Sequence, residues 1–175
     1  MPAIPPPPPI PPLHAPAAAA AVSTPAPGSR YGFADAWLGE TLAEWRASRP
    51  VRAKAPCTEA KALDVLVCRG VDADLGGGYA ARDLSYAFVA GRLARISFRT
   101  SIDGFDHVTA VLKKASGAPE RIVRDTLGPT GRPHVSMIWR NGRSTIVLSD
   151  PMADAVNLSV HFTLDALADK ATQAG

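Results

Sequence analysis

The residues of this chain that could carry out acid–base catalysis are few and widely separated. The four histidines are His14, His107, His134 and His161. Only His161 lies in the middle of a predicted strand, and no Asp or Glu stands beside it as the partner that orients a catalytic imidazole. Neither cysteine has the surroundings of a nucleophile. The sequence therefore predicts no catalytic residues and no cofactor, and we expect the protein not to be an enzyme.

The segment DADLGGG at 72–78 is the part of the sequence most similar to a metal-binding loop. Its Asp-x-Asp pattern with glycines resembles the start of a calcium loop, which needs further oxygen ligands and a Glu at its twelfth position. Asp83 occupies that position, and no Cys/His cluster has the spacing of a zinc site. We expect a mobile glycine-rich loop here and no metal.

Cys57 and Cys68 are the two cysteines of the chain. A strand is predicted at 62–68, and we expect a disulfide between its last residue and Cys57 in the preceding loop. The alternative is a pair of reduced, buried thiols. A disulfide indicates an oxidising compartment and so predicts the periplasm or cell envelope, although no export signal is visible in the chain. The cytoplasm is the alternative location.

The charge of the chain is weakly positive, with a net +3 from 19 basic and 16 acidic residues that are interspersed. A nucleic-acid-binding protein usually concentrates its basic residues on one face or in one run, so we expect no nucleic-acid partner. No stretch approaches the ~20 consecutive apolar residues of a membrane helix, so we expect no membrane span. The Gly-Arg pairs at 91–92 and 142–143 are typical of tight turns followed by a solvated edge residue.

The first 29 residues have no charged side chain and include the stretch IPPPPPIPPLHAP. Proline lacks a backbone donor and fixes φ, so this segment favours polyproline II. We predict a disordered Pro- and Ala-rich arm over 1–30, followed by a single domain over 31–175. The arm is interpreted as a spacer or, alternatively, as a ligand for a proline-binding module.

Two helices are predicted from capping and termination signals. Thr41 and Glu44 have the spacing of a capping box, and Pro50 ends the helix that follows. A second helix is expected from about Asp103, with Gly117 terminating it.

Two stretches of the sequence, 85–97 and 136–149, are nearly the same. Each begins with Ser, has an aromatic residue three positions later, and continues through Gly-Arg into apolar residues. Each is predicted to form a β-hairpin. Because a lone helix on a short sheet buries too little apolar surface, we predict an α+β fold with two helix-plus-hairpin repeats. Repeat one covers about 36–99 and repeat two about 100–164; they share one antiparallel sheet, with the helices on one face.

Polar and apolar residues alternate in the first hairpin and in the last predicted strand, which places their polar residues on one face. These residues are Arg95, Ser97, Arg99, Asn157, Ser159, His161 and Thr163. A sheet with helices on one side presents its other side to solvent, and Arg binds carboxylates in a bidentate manner. We expect this face to bind another protein that has an acidic surface. The alternatives are a solvated face without a partner, and a small-ligand-binding or hydrolase site using His161 and Arg95.

The residues around the predicted helices resemble a family pattern in which Gly-Met-Thr precedes a helix that ends at Gly-x-Pro. The matching residues are Gly39, Thr41, Pro50, Gly117 and Pro119. Over about 36–164 the chain is similar to the β-lactamase-inhibitor-protein-like fold and to the small lipoproteins of the β-barrel assembly machinery. It departs from the pattern at Glu40, which replaces Met, and at Arg49, which stands near the expected Gly. The resemblance implies a sheet whose open face binds other proteins, often in a bacterial envelope, and it implies no catalytic residues.

Overall fold

The computed structural model describes residues 30–125, 134–150 and 156–173. Apart from Arg30, the predicted arm lies outside the described residues. The chain forms, in order, β1 (Gly32–Phe33), β2 (Ala36–Trp37), α1 (Leu42–Ser48), β3 (Cys57–Ala60), β4 (Val65–Arg69), β5 (Ala73–Gly76), β6 (Tyr79–Val89), β7 (Arg92–Ser101), α2 (Phe105–Ser116), β8 (Arg121–Asp125), β9 (His134–Arg140), β10 (Ser144–Ser149), β11 (Asn157–Leu164) and α3 (Ala168–Gln173). Short 3-10 helices lie at Pro50–Lys54, Lys61–Leu63, Ile102–Gly104 and Asp165–Leu167.

Within these residues one antiparallel sheet has nine strands, and its order is β3-β4-β6-β7-β11-β10-β9-β8, with β5 paired to β6. The strands of the N-terminal half therefore occupy one side of the sheet and those of the C-terminal half the other. The two sides join where β7 pairs with β11, for example at Phe98 and Val160. The predicted α+β class with an antiparallel sheet is confirmed.

Helices α1 and α2 pack on the same face of this sheet, which we call the core face. The capping box predicted for α1 is present, because the Thr41 hydroxyl accepts from the Glu44 backbone N–H at 3.2 Å and the Glu44 carboxylate accepts from the Thr41 N–H at 2.7 Å. Trp45 of α1 is fully buried against Tyr86, with ring centroids 4.9 Å apart. The Trp139 indole donates to the backbone carbonyl of Gly117 at 2.9 Å, which fixes the end of α2 over β9.

The β1–β2 hairpin closes the core over the junction of the two halves. Phe33 is fully buried and stacks on Phe98 of β7 with the ring centroids 4.6 Å apart. Its ring also lies 5.9 Å from that of Phe162 on β11. Aromatic contacts of this kind add to the free energy gained by burying the rings themselves. The core is therefore continuous across the β7–β11 junction.

The expectation that the helices lie on one face does not hold for α3. Ala171 of α3 is buried in a second apolar cluster with Val65, Ala87, Val89 and Ala94. Because side chains alternate along a strand, Val65 and Ala87 point away from the core face, on which Cys68 and Tyr86 are buried. Helix α3 therefore covers one end of the opposite face.

A β-bulge changes the alternation that the sequence predicts for β7. The register shifts from Ala87 opposite Arg95 to Phe88 opposite Leu93, which leaves Ala94 as the extra residue. A bulge of this kind reorients one side chain. Uninterrupted alternation would place Ala94 beside Ile96 and Phe98 on the core face, but Ala94 lies in the second cluster.

The predicted disulfide is present, and it joins two strands. Cys57 and Cys68 are bonded and stand directly opposite each other in the β3–β4 pair. The expectation of a loop around Cys57 was wrong because β3 extends the sheet by one edge strand. The bond fixes that edge strand to β4 and so to the rest of the sheet.

The glycine-rich segment predicted as a mobile loop is a β-hairpin. Strand β5 pairs with β6, and the turn at Gly77 and Gly78 has φ of 62° and 84°. Such positive values favour glycine. The Asp74 carboxylate accepts from the backbone N–H of Gly76 at 2.8 Å, so this Asp stabilises the turn.

The two similar stretches of sequence do form hairpins, β6–β7 and β9–β10, but at different places in the sheet. Strand β7 lies at the junction of the two halves, whereas β10 is separated from that junction by β11. The shared pattern therefore reflects the chemistry of a tight hairpin. At the second turn the Asn141 side chain accepts from the backbone N–H groups of Arg143 and Ser144 at 3.2 and 2.9 Å.

Candidate functional site

The seven residues expected on the polar sheet face all come from β7 and β11, which are neighbours in the sheet. Their register places Arg99 opposite Ser159, Ser97 opposite His161, and Arg95 opposite Thr163. Six of the seven line one concave site of about 900 Å³, which is open to solvent on one side. Thr163 does not line it. We call this site the arginine cleft.

Sequence reasoning missed the part of the arginine cleft that β4 and β6 contribute. Arg69 and Val67 of β4 and Ser85 of β6 line it, and so do Asp72 and Asp83. In the register, Ser85 faces both Ser97 and Arg69. Alternation around Cys68 could have placed Arg69 on the polar face. The pairing of β4 with β6 was harder to find because β5 lies between them in the chain.

Arg95 and His161 form the central polar contact of the cleft. The Arg95 guanidinium lies 3.0 Å from Nδ1 of His161. Because arginine can only donate, Nδ1 must accept and the proton of the neutral imidazole must sit on Nε2. Burial, followed by the positive charges of Arg95 and Arg99, lowers the pKa of His161 to about 4. At neutral pH the positive charge of this site therefore comes from arginine alone.

This geometry predicts how His161 titrates. The unfolded chain binds a proton at this imidazole below about pH 6.5, whereas the folded chain does so only near its pKa of about 4. The free energy of unfolding should therefore fall as the pH falls through that window, and this contribution should be fully present above it. Nuclear magnetic resonance of the imidazole ring should show the neutral Nε2–H tautomer down to about pH 5.

His161→Gln is the matching variant, because its side-chain oxygen can still accept from Arg95. Between about pH 4 and 6.5 the free energy of unfolding of this variant should depend less on pH than that of the wild type, because the contribution of His161 is absent. A ring that titrates near its ordinary pKa in the wild-type protein would contradict the buried arginine contact.

The two arginines at the centre of the cleft have no acidic partner among the described residues. The ion pairs in this part of the chain are Arg49 with Asp35 and Arg140 with Glu120. Burial lowers the pKa of Arg95, because its guanidinium is partly removed from water. A partly desolvated cation without a carboxylate favours an anion that arrives from outside.

Serine hydroxyls on the polar sheet face flank these arginines in pairs across neighbouring strands. Ser85 and Ser97 are joined by a hydrogen bond of 2.9 Å, and Ser149 and Ser159 by one of 3.0 Å. Such pairs hold the hydroxyls in place. No exposed aromatic ring lines the described cleft, since its Phe98 is 2% exposed, so the site lacks a platform for stacking. The arrangement suits hydrogen bonding and carboxylate binding.

A second histidine forms the contact in the structure that most resembles a catalytic pair. Nε2 of His134 lies 3.2 Å from the Ser136 hydroxyl. Nδ1 of His134 is buried and has no hydrogen-bond partner within the described ranges. A base that activates serine needs its other ring nitrogen oriented by a third group. The contact therefore lacks the feature that would make Ser136 a nucleophile.

The described residues show neither a metal site nor a membrane helix. No group of three or more His, Cys, Asp or Glu side chains in the described ranges is arranged to hold a metal ion. None of the helices in that part of the chain has the length and apolar character that crossing a bilayer requires.

Comparison of the chain with known proteins gives no assignment. No protein-family model, curated protein or solved structure matches it. The site described above therefore has to be interpreted from its own geometry.

Proposed function

We propose that this chain is a non-catalytic protein-interaction domain that binds an acidic segment of a partner protein in the arginine cleft. The observation that carries the proposal is the pair Arg95 and Arg99, which share one concave face and have no carboxylate partner in the described residues. Arginine presents a planar set of donors that matches a carboxylate. An Asp or Glu side chain of a partner would supply the missing acceptor.

The shape of the cleft supports a protein segment over a small molecule. Its volume of about 900 Å³ lies at the upper end of the roughly 300–1,000 Å³ typical of small-ligand pockets. Such pockets enclose most of their ligand, whereas this cleft is open to solvent on one side. A small anionic ligand is the second candidate, since the site is concave and has volume enough for one.

A hydrolase that uses the same face is less consistent with the geometry. The Nδ1 atom of His161 accepts from Arg95, and the pKa of the ring is lowered to about 4. A general base works best when its pKa lies near the operating pH. His161 acts here as an acceptor that positions Arg95.

We further propose that the domain functions in an oxidising compartment such as the periplasm or cell envelope. The disulfide between Cys57 and Cys68 supports this location, and so does the resemblance to envelope proteins that recognise other proteins. The cytoplasm remains the alternative if the thiols are reduced in the cell.

The relation between the halves is also a proposal. Each half has a helix followed by strands, and their last strands, β7 and β11, pair at the centre of the sheet. This arrangement supports two versions of one unit, 36–99 and 100–164, sharing a sheet. In the two units the equivalent strands would then be β7 and β11. The similar sequence stretches instead suggest β7 and β10, but these two strands occupy different positions in their halves.

The proposed function is tested by reversing the charge of the cleft. The chain serves as bait in an extract of the source organism, and the captured proteins are identified and their affinities measured. Arg95→Glu with Arg99→Glu should weaken binding of the specific partner at least about tenfold, which corresponds to about 1.4 kcal/mol. The control variant is Arg124→Glu with Arg143→Glu, which makes the same change in net charge at exposed positions outside the cleft. It should keep the wild-type affinity.

Folding of the variant has to be measured beside its binding. Arg99 is exposed, but Arg95 is only partly exposed and bonds to His161, so the pair should cost about 1 kcal/mol of stability. The proposed function is contradicted if the folded variant binds every captured protein as tightly as the wild type does. It is also contradicted if no protein is captured by both the wild type and the control variant.

A further inference from the structure

A second cleft lies on the core-face side of the sheet, next to the arginine cleft. It has a volume of about 1,030 Å³ and lies between the 3-10 helix at Pro50–Lys54 and the segment 69–74. Its lining includes Tyr86, whose side chain belongs to the core face. Because the neighbouring Ser85 lines the arginine cleft, the two clefts open on opposite faces of the sheet.

The second cleft contains an unusual concentration of exposed aliphatic side chains. Among the described residues, four large hydrophobic side chains are exposed, and two of them, Val51 at 54% and Val71 at 62%, line this cleft. The other two, Ile122 and Val156, line neither cleft. Two exposed aliphatic groups that line one concave site are available for apolar contact with a partner.

Two arginines of the second cleft have partners within the protein. Arg49 pairs with the carboxylate of Asp35. Arg52 is buried and donates to backbone carbonyls of the turn at 34–35. Lys54, Asp72 and Asp74 also line the cleft, and no ion pair joins them within the described residues. The valines are therefore the part of this site that would make apolar contacts with a partner.

The two clefts meet at the segment 69–72. Arg69, Gly70 and Asp72 of this segment line both of them, and so does Leu84 of β6. The backbone N–H of Gly70 donates to the Leu84 carbonyl at 2.7 Å, and a Cβ at Gly70 would lie only 2.8 Å from the Tyr86 ring. The segment is therefore held close to the sheet, and a chain lying over it would contact both clefts.

We propose that the two clefts form one continuous groove that binds an extended segment of the partner, with acidic residues against Arg95 and Arg99 and aliphatic residues against Val51 and Val71. This inference rests on the proposed function and extends it by defining the chemistry of the segment. An extended chain is required because the groove passes from one face of the sheet to the other over 69–72. A straight helix could fill only one of the clefts.

The probe for this inference is a displayed library of random peptides of about twelve residues, which extend to roughly 40 Å, panned on the full chain. The enriched peptides should combine an Asp- or Glu-rich part with a Val-, Ile- or Leu-rich part. Their affinity should fall about tenfold for Val51→Ser with Val71→Ser, since two buried aliphatic contacts are lost. The matched control is Ile122→Ser, which removes an exposed aliphatic side chain outside both clefts and should leave affinity unchanged.

The same peptides separate failure of this inference from failure of the proposed function. If Arg95→Glu with Arg99→Glu weakens binding but the valine pair does not, the arginine cleft binds the segment alone and the continuous groove is wrong. If neither pair weakens binding, or if no peptide is enriched, both proposals are contradicted. Thermal melting of each variant shows whether it is folded, and Val71→Ser alone, at the most exposed valine of the cleft, repeats the test with a smaller change.

Discussion

Arg52→Ala should lower the free energy of unfolding by about 3 kcal/mol, although the residue carries a charge. The side chain is 5% exposed and lies over the rings of Trp45 and Tyr86, at 5.4 and 5.3 Å from their centroids. Its guanidinium donates to the carbonyls of Ala34 and Asp35. Removing it leaves the buried Ala34 carbonyl without its donor, at about 1–3 kcal/mol, and removes two cation–π contacts.

The local backbone explains why Arg52 is needed at this position. Ala34 and Asp35 both have positive φ, at 52° and 62°, a conformation that disfavours residues with a Cβ. Arg52 holds the carbonyls of this turn, and the turn connects β1 to β2 over the core. Loss of the guanidinium should therefore loosen the packing of Phe33 on Phe98 as well.

Arg49→Ala is the matched control for Arg52. Arg49 pairs with the Asp35 carboxylate of the same turn, but its side chain is 41% exposed. Exposed ion pairs contribute about 0–1 kcal/mol, so this variant should unfold at nearly the wild-type denaturant concentration. Chemical denaturation of both variants gives the comparison. Equal losses for the two, or a loss below about 1 kcal/mol for Arg52→Ala, would show that the buried contacts do not hold the turn.

The polar face could be predicted from sequence because strand alternation is a local property. Ser97 and Arg99 in one segment, and Ser159 and His161 in another, each show the period of two that defines a face. The capping box of α1 was equally accessible, since Thr41 and Glu44 are three residues apart. Signals of this kind involve neighbours in the chain, and those predictions agree with the structure.

The features that the sequence did not predict depend on contacts between distant residues. Arg52 appears in the sequence as one basic residue among many, and only the fold shows it buried against the rings of Trp45 and Tyr86. The bulge turns the Ala94 side chain to the opposite face of the sheet, and the sequence has no glycine at this position that would indicate a bulge. Helix α3 is short, and its place on the polar side follows from Val65, Ala87 and Val89, which become a second apolar cluster only when β4 and β6 pair.

Cys57→Ala with Cys68→Ala should destabilise the protein by about 2–3 kcal/mol. The bond closes a loop of 11 residues in sequence separation, and a loop of about this size loses roughly that much free energy when its constraint on the unfolded chain is removed. The native contacts should suffer little, because Cys68 is fully buried in a paired strand and Ala fits within the same space. The loss should therefore appear as a shift in the denaturation midpoint with the slope of the transition nearly unchanged.

Reduction of the wild-type protein provides the control for this variant. A reducing agent should lower the wild-type midpoint and leave that of the double-alanine variant unchanged, since the variant has no bond to break. Mass spectrometry after alkylation under native, non-reducing conditions should find neither thiol modified. Two alkylated cysteines in protein isolated from its source would contradict the disulfide in the cell, and with it the support for an oxidising compartment. The centre of the arginine cleft should be unaffected by that result, because the β7–β11 pair is separated from β3 by β4 and β6; only Val67 and Arg69, which flank Cys68, are close to the bond.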